Sequence, residues 1–350
     1  MLIITLIRRT WAVVMLVAHA TATAGQYQGP ESVEYDPDGD RYFVSNTGSN
    51  SIKQQDQSGV VTDFVTVNPA PYGLELMGDT LFACSGGSVK GYATSDGTLV
   101  FNRSLGGSFL NGITTDGTHL YVTDFSASRI YKVDVANNTH STLVANTAGT
   151  PNGIVWDPAG ERLVVVFWGN NAPIKAFDRV TGASTTLVAG TGLSNIDGVT
   201  IDCFGNFLVA SWSPDRITGL PPDFASAGTS IGVPGLNNPA DIDFDEVNGR
   251  VCIPNSGNNT VTLFEIDCTT SIVERAARTV QSIPNPTTGL VKLDPPLNSV
   301  EPYMVFDARG LLVAGGTAQP REWIDLRDLD AGAYYIHFGR LGHQVRVVKY

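Results

Sequence analysis

The heptapeptide Pro151-Asn152-Gly153-Ile154-Val155-Trp156-Asp157 decides the fold, because it is one of six copies of a phrase. The others are Pro30-Glu31-Ser32-Val33-Glu34-Tyr35-Asp36, Pro71-Tyr72-Gly73-Leu74, Leu110-Asn111-Gly112-Ile113, Ile196-Asp197-Gly198-Val199-Thr200-Ile201-Asp202 and Pro239-Ala240-Asp241-Ile242-Asp243-Phe244-Asp245. The column Ser32, Gly73, Gly112, Gly153, Gly198, Asp241 advances by 41, 39, 41, 45 and 43 residues. A period near forty marks an array of supersecondary units, each of which buries its apolar face only by stacking on the next.

Each phrase is followed by a turn and a second apolar strand, as in Arg41-Tyr42-Phe43-Val44-Ser45-Asn46 and His119-Leu120-Tyr121-Val122-Thr123-Asp124. A third strand opens at Ile52, Val89, Ile130, Ile174, Ile217 or Val261, and a weaker fourth closes most copies. No stretch carries a helical period. Six units of four strands predict an all-β chain whose residues 25–280 form a six-bladed β-propeller, a closed ring that hides its sheet edges. Residues 213–236, rich in Pro and Gly, make blade 5 the least regular and predict a protruding loop.

The 350 residues carry 22 Lys+Arg against 34 Asp+Glu, a net charge of −12, with 42% hydrophobic residues. That is a folded globular composition, and its acidity argues against nucleic-acid or anionic-membrane partners. The charge is uneven. Residues 1–24 carry +2, residues 281–350 are neutral, and the propeller segment alone carries −14.

In a propeller the first strand of each blade lines the axis. The residue before the repeated Gly gives Glu31, Tyr72, Asn111, Asn152, Asp197 and Ala240. Symmetry thus brings two carboxylates and two amides to one channel. All-oxygen donors suit a hard divalent cation, calcium before magnesium or zinc, and no His or Cys joins the set. The competing reading is turn chemistry, since Asn and Asp at such positions also bond nearby backbone.

Other signals are weaker. Gly228-Thr229-Ser230-Ile231-Gly232 has the spacing of a nucleophile elbow, but no helix follows it, so a loop or outer strand is expected. Asp36-Pro37-Asp38-Gly39-Asp40 lacks the terminal Glu of a calcium loop and reads as a tight turn. His119 and His140 are isolated, and Trp156, Trp168 and Trp212 read first as packing residues, with a pocket wall as the alternative.

The two ends read as addresses. Arg8 and Arg9, the apolar run Trp11 to Ala18 and Ala22-Thr23-Ala24 make residues 1–24 a secretory signal, cut near Ala24. Nothing later is long enough to span a bilayer as a helix. Export permits disulfides. Cys84, Cys203, Cys252 and Cys268 fit no zinc spacing. Their places in the repeats favour Cys203 with Cys268, with buried free thiols as the alternative.

Residues 281–350 are alternating apolar strands with Gly and Pro turns, all-β on pattern alone. In order they carry Gln281-Ser282-Ile283-Pro284-Asn285-Pro286-Thr287-Thr288-Gly289, Val305-Phe306-Asp307-Ala308-Arg309-Gly310, Ile324-Asp325-Leu326-Arg327-Asp328-Leu329 and Ala331-Gly332-Ala333-Tyr334-Tyr335-Ile336. This resembles the C-terminal sorting domain of type IX secretion substrates. The resemblance implies a small β-sandwich, recognised by the type IX machinery in a Bacteroidota-type cell, then release or attachment at the outer surface.

The propeller phrases resemble the senescence marker protein/gluconolactonase family. That resemblance implies one divalent metal held by Glu31, Asn152 and Asp197, with Asp197 also the catalytic base or water-positioning group and Asn111 a fourth, weaker ligand or a substrate contact. It implies hydrolysis of a lactone or ester. The chain departs from the family in having Phe109 and Asn111-Gly112 where an Arg and Asn-Asp-Gly are usual, which puts a sugar-acid lactone in doubt. The same phrases, above all Asn111-Gly112-Ile113 with Tyr121-Val122-Thr123-Asp124, also resemble the NHL repeat. This implies a non-catalytic module that binds protein, peptide or glycan. A propeller lyase is a third, more distant reading.

Overall fold

The computed structural model describes residues 20–24, 26–268, 281–294, 301–309, 311–319, 322–338 and 343–350. The chain divides into two compact units, Met1–Cys268 and Thr269–Tyr350. Among the described residues every regular element is a strand.

The first unit is the six-bladed propeller. Blade 1 is Pro30–Asp36, Arg41–Asn46, Ser51–Asp56 and Val61–Thr66, each strand antiparallel to the next. Blades 2, 3 and 4 repeat it, with inner strands Pro71–Met77, Leu110–Thr115 and Thr150–Asp157. Blade 5 starts at Ser194–Ile201, and its outer strand is only Thr229–Ser230, in the expected irregular stretch. The elbow-like pentapeptide therefore lies on this outer strand, with both strand residues exposed.

Burial explains the strand composition. Second strands lie between neighbouring blades on both faces, so their middles are apolar: Leu120, Tyr121 and Val122 are buried, as are Leu163 to Phe167. Each fully buried side chain of this kind contributes roughly 1.5–3 kcal/mol. Outer strands such as Thr139–Val144 face water along most of their length. The turn after the blade 1 inner strand is tight, as its composition predicts. Asp36 Oδ1 accepts from the Asp38 and Gly39 amides, and Asp36 Oδ2 pairs with Arg41 Nε at 2.9 Å. Asp157 and Arg162 repeat that pair in blade 4 at 2.8 Å.

Blade 6 contains Asp243–Asp245, Arg250–Asn255 and Thr260–Glu265. Its fourth strand comes from the other end of the unit: Ala20–Ala24 lies antiparallel to Thr260–Glu265, with Ala24 opposite Thr260 and Ala20 opposite Phe264. Of the expected signal segment, residues 1–19 lie outside the described residues. On the axis, Ser32 and Asp241 form a parallel bridge that joins blade 1 to blade 6. Cys203 and Cys268 are disulfide-bonded, tying the turn of blade 5 to the end of blade 6, while Cys84 and Cys252 are buried free thiols.

The second unit is a β-sandwich. One sheet contains Gln281–Ile283, Leu290–Asp294 and Ile324–Asp325; the other contains Leu312–Ala318, Glu301–Asp307, Gly332–Phe338 and His343–Lys349. Val291, Val305, Ile336, Phe338, Val345 and Val347 fill the space between them.

Candidate functional site at the axis of the propeller

The pairing of inner with second strand slips in the first five blades. The slip falls between Pro30 and Val33, Pro71 and Leu74, Leu110 and Ile113, Pro151 and Ile154, and Ile196 and Val199. The two residues inside each slip are the repeated pair, such as Glu31-Ser32 and Asn152-Gly153. A bulge breaks the alternation of faces, so both members turn inward where the blades crowd. The glycines are there for space. A Cβ on Gly153 would stand 2.6 Å from the carbonyl oxygen of Asp197, on the next blade. Blades 1 and 6 carry Ser32 and Asp241 instead, and Ser32 Oγ donates to Asp241 Oδ2 at 2.8 Å.

The structure brings Asn152 and Asp197 into contact. Asn152 Nδ2 donates to Asp197 Oδ1 at 2.8 Å, both residues being about 2% exposed. Asn152 Oδ1 is buried with no hydrogen-bond partner. Asn111 is buried on blade 3, and its carbonyl oxygen packs against Gly73. Glu31, on blade 1, is close enough to act electrostatically on Asp197, Asp241 and Tyr72.

Burial shifts these carboxyls towards their protonated forms. Burial pushes Glu31 up to about 7. Burial first, and then the charges of Glu31 and Asp241, hold Asp197 well above the usual carboxylate range, while Asn152 and the Trp212 indole oppose the shift. Asp241 is pushed up to about 8 by burial, with Ser32 pulling down and Glu31 pushing further up. Burial of a charge without an opposite partner raises a carboxyl in this way. Among the described residues no ion pair reaches Glu31, Asp197 or Asp241.

Deeper along the axis lies a second tier that the repeat column did not reveal. Glu34 Oε1 accepts from the Leu76 amide, Glu75 Oε1 from Thr115, Thr114 Oγ1 from Trp156, and Asp243 Oδ2 from Tyr35. Each bond runs from one blade to the next and stitches the ring. With Asp241, these side chains line a cavity of about 40 Å³, enough for a water or a small ion. Burial raises Glu34 and Glu75 strongly and Asp243 to about 6. The sequence signal was available: Glu34 and Asp243 lie two residues beyond Ser32 and Asp241, on the same strand face.

The donor set of Glu31, Asn152 and Asp197 fits a hard cation. It is all oxygen, carries two acids without a counter-charge and includes one orphaned acceptor. Among the described residues, however, no three His, Cys, Asp or Glu side chains stand close enough together to enclose a metal unaided. The amide of Asn152 has to complete the set.

Above the acids runs an arc of five half-buried rings. Tyr72 meets Phe109 at 4.7 Å between centroids, Phe109 meets Phe125 at 5.3 Å, Phe125 meets Trp168 at 6.0 Å and Trp168 meets Trp212 at 4.9 Å. They come from blades 2, 3, 4 and 5, at starts of inner strands and ends of second strands, which share one face of the ring. Trp168 and Trp212 thus form a wall rather than core packing. His119 lies at the far end of its inner strand's hairpin, and His140 lies on an outer strand. A separate cavity of about 360 Å³ between blades 4 and 5, lined by Leu187, Leu193, Leu220 and Phe224, contains no ionisable side chain.

No family model matches the chain, and no curated protein matches it. Its structure is similar to that of a gluconolactonase from Xanthomonas campestris, at 16% identity over 73% of this chain and 93% of that one, with a TM-score of 0.61. It is similar to a calcium-binding protein, regucalcin, from Agrobacterium tumefaciens, at 17% identity, 70% and 91% coverage and a TM-score of 0.56. It is also similar to a catalytically inactive histidine-to-alanine form of virginiamycin B lyase from Staphylococcus aureus, solved with quinupristin, at 16% identity, 72% and 89% coverage and a TM-score of 0.52. At these identities the likeness is one of fold: the first unit shares the propeller of gluconolactonases, regucalcin and the streptogramin lyases.

Proposed function

We propose that the propeller is a divalent-metal-dependent hydrolase of lactones or esters. The reading rests on one observation, the meeting of Asn152 and Asp197 beside Glu31 with the Asn152 carbonyl left unsatisfied. Glu31, Asn152 and Asp197 would hold the cation, with calcium the best match to an all-oxygen set. When bound, it supplies Lewis-acid polarisation of a carbonyl. Asp197, once ionised, takes a proton from the attacking water. Asn111 orients the substrate oxygen. The likeness to gluconolactonase and regucalcin supports this reading; the missing Arg before Asn111 argues against an anionic sugar substrate.

The test is hydrolysis of γ-butyrolactone and phenyl acetate with calcium and with chelator. Asp197→Ala should abolish the calcium-dependent rate; an unchanged rate overturns the reading.

A non-catalytic NHL-type binding module is the second reading, favoured by the lack, among the described residues, of a metal cage built from acids alone. The lyase reading is weaker still. The similar lyase was inactivated by loss of a histidine, and both described propeller histidines lie away from the mouth.

We further propose that residues 281–350 address the protein to the type IX secretion machinery and hence to the outer surface or the medium, after removal of residues 1–24, a cut near Ala24 that would also take away the Ala20–Ala24 strand of blade 6. The β-sandwich of the second unit and its ordered motifs support this. A chain lacking 281–350 that still reaches the surface overturns it.

A further inference from the structure

The mouth of the ring pairs two kinds of surface. At its centre stand Glu31, Asp197 and the orphaned Asn152 Oδ1, whose oxygens act as acceptors once the carboxyls are ionised; the Asn152 amide hydrogens are turned towards Asp197, and among the described residues the one other unpartnered polar atom there is the Trp212 indole N–H. Around it stands the arc from Tyr72 to Trp212: at one end Tyr72 feels the charge of Glu31, and at the other the Trp212 indole N–H acts on Asp197 without completing a hydrogen bond. A buried acceptor without a donor, Asn152 Oδ1, calls for an N–H group or a cation. Aromatic faces beside them favour an organic cation over a neutral group of the same shape. A propeller segment of net −14 draws such a ligand in and repels an anion.

We propose that this mouth binds an organic ammonium group, its N–H bonds directed to Glu31, Asp197 and Asn152 Oδ1 and its carbon chain lying on the Trp168–Trp212 wall. A primary ammonium has three donors and no acceptor, the complement of this centre. The proposal rests on the same mouth as the hydrolase reading but not on catalysis. Calcium and ammonium compete for the same oxygens, so each weakens the other's binding.

The experiment is calorimetry on the full chain in calcium-free buffer of constant ionic strength. Four probes are used: n-butylammonium, Nα-acetyl-lysine methylamide, the uncharged Nα-acetyl-norleucine methylamide and pentanoate. The lysine derivative should bind at least tenfold more tightly than the norleucine one, and pentanoate should give no heat. Comparable binding of butylammonium assigns a free amine; a clear preference for the lysine derivative assigns a basic peptide side chain. Trp212→Leu and the milder Trp168→Phe should each weaken the cation severalfold while leaving the melting transition cooperative. Equal binding of the lysine and norleucine derivatives overturns the proposal, as does full affinity in both tryptophan variants. Calcium binding without ammonium binding removes this inference and leaves the hydrolase reading; ammonium binding without calcium binding does the reverse.

Discussion

Asn152 donates to Asp197 across the junction of blades 4 and 5 at 2.8 Å, and in doing so leaves its own carbonyl oxygen buried and unpaired. Asn152→Asp replaces that donor with a second carboxylate beside Asp197. Like charges so placed should lower the stability of the calcium-free protein above neutral pH by about 1–3 kcal/mol. Excess calcium should restore it. Chemical denaturation with and without calcium measures both, and a variant as stable as the parent in chelator would contradict the arrangement.

The axis also sets a pH dependence. Glu31, Asp241 and Asp243 rise to about 7, 8 and 6 from 4.5, 3.8 and 3.8. Raised values mean that the folded chain binds more protons than the unfolded one between about pH 4 and 8, so stability falls as pH rises through that window. Each tenfold gain in proton affinity corresponds to about 1.4 kcal/mol. In chelator the melting temperature should therefore decline from about pH 5 to 8, and saturating calcium should flatten the decline. A melting temperature that climbs over this range in chelator is the opposite of what these buried acids require.

The Cys203–Cys268 bond closes a loop with a sequence separation of 65 residues. Chain-entropy arguments value such a closure at roughly 4 kcal/mol. Reductant should lower the melting temperature of the parent by several degrees and leave a Cys203→Ser/Cys268→Ser chain unmoved. A parent insensitive to reductant would mean that the bond constrains nothing.

Gly153→Ala should cost about 3 kcal/mol, because the added methyl meets the Asp197 carbonyl of the next blade and neither backbone can yield alone. Gly219→Ala is the control: its nearest neighbours stand at 3.5 Å and beyond, and it should change stability by less than about 0.5 kcal/mol. Equal melting curves for the two variants would contradict the crowded axis.

The ring itself was legible because the forty-residue period repeats a strand pattern and its turns, and the same period brought Asn152 and Asp197 to one place. The second tier of Glu34, Glu75 and Asp243 was not. The bulge at each repeated pair puts inward-facing residues on both sides of a break in alternation, and a column read at one position finds only one tier. The acids that drew notice outside that column, Asp36 to Asp40, read as a tight turn, and nothing in that reading pointed to Glu34, Glu75 or Asp243. The aromatic arc escaped for a related reason. Phe109 and Phe125 lie just outside their strands, and Tyr72, Trp168 and Trp212 sit at different repeat positions, so only the folded ring sets them in a row. Ala20–Ala24 read as the end of a signal; its pairing with Thr260–Glu265 links the first and last parts of the unit, which no local pattern encodes.

The central claim is that Glu31, Asn152 and Asp197 form one cation site on the propeller axis. Calorimetric titration of calcium into metal-free protein at about pH 7.5 tests it most directly, beside Glu31→Gln and Asp197→Asn, which remove charge at nearly constant shape. The account predicts one saturable site in the parent, weakened at least tenfold in each variant. No saturable heat in the parent, or an isotherm unchanged in both variants, would contradict it.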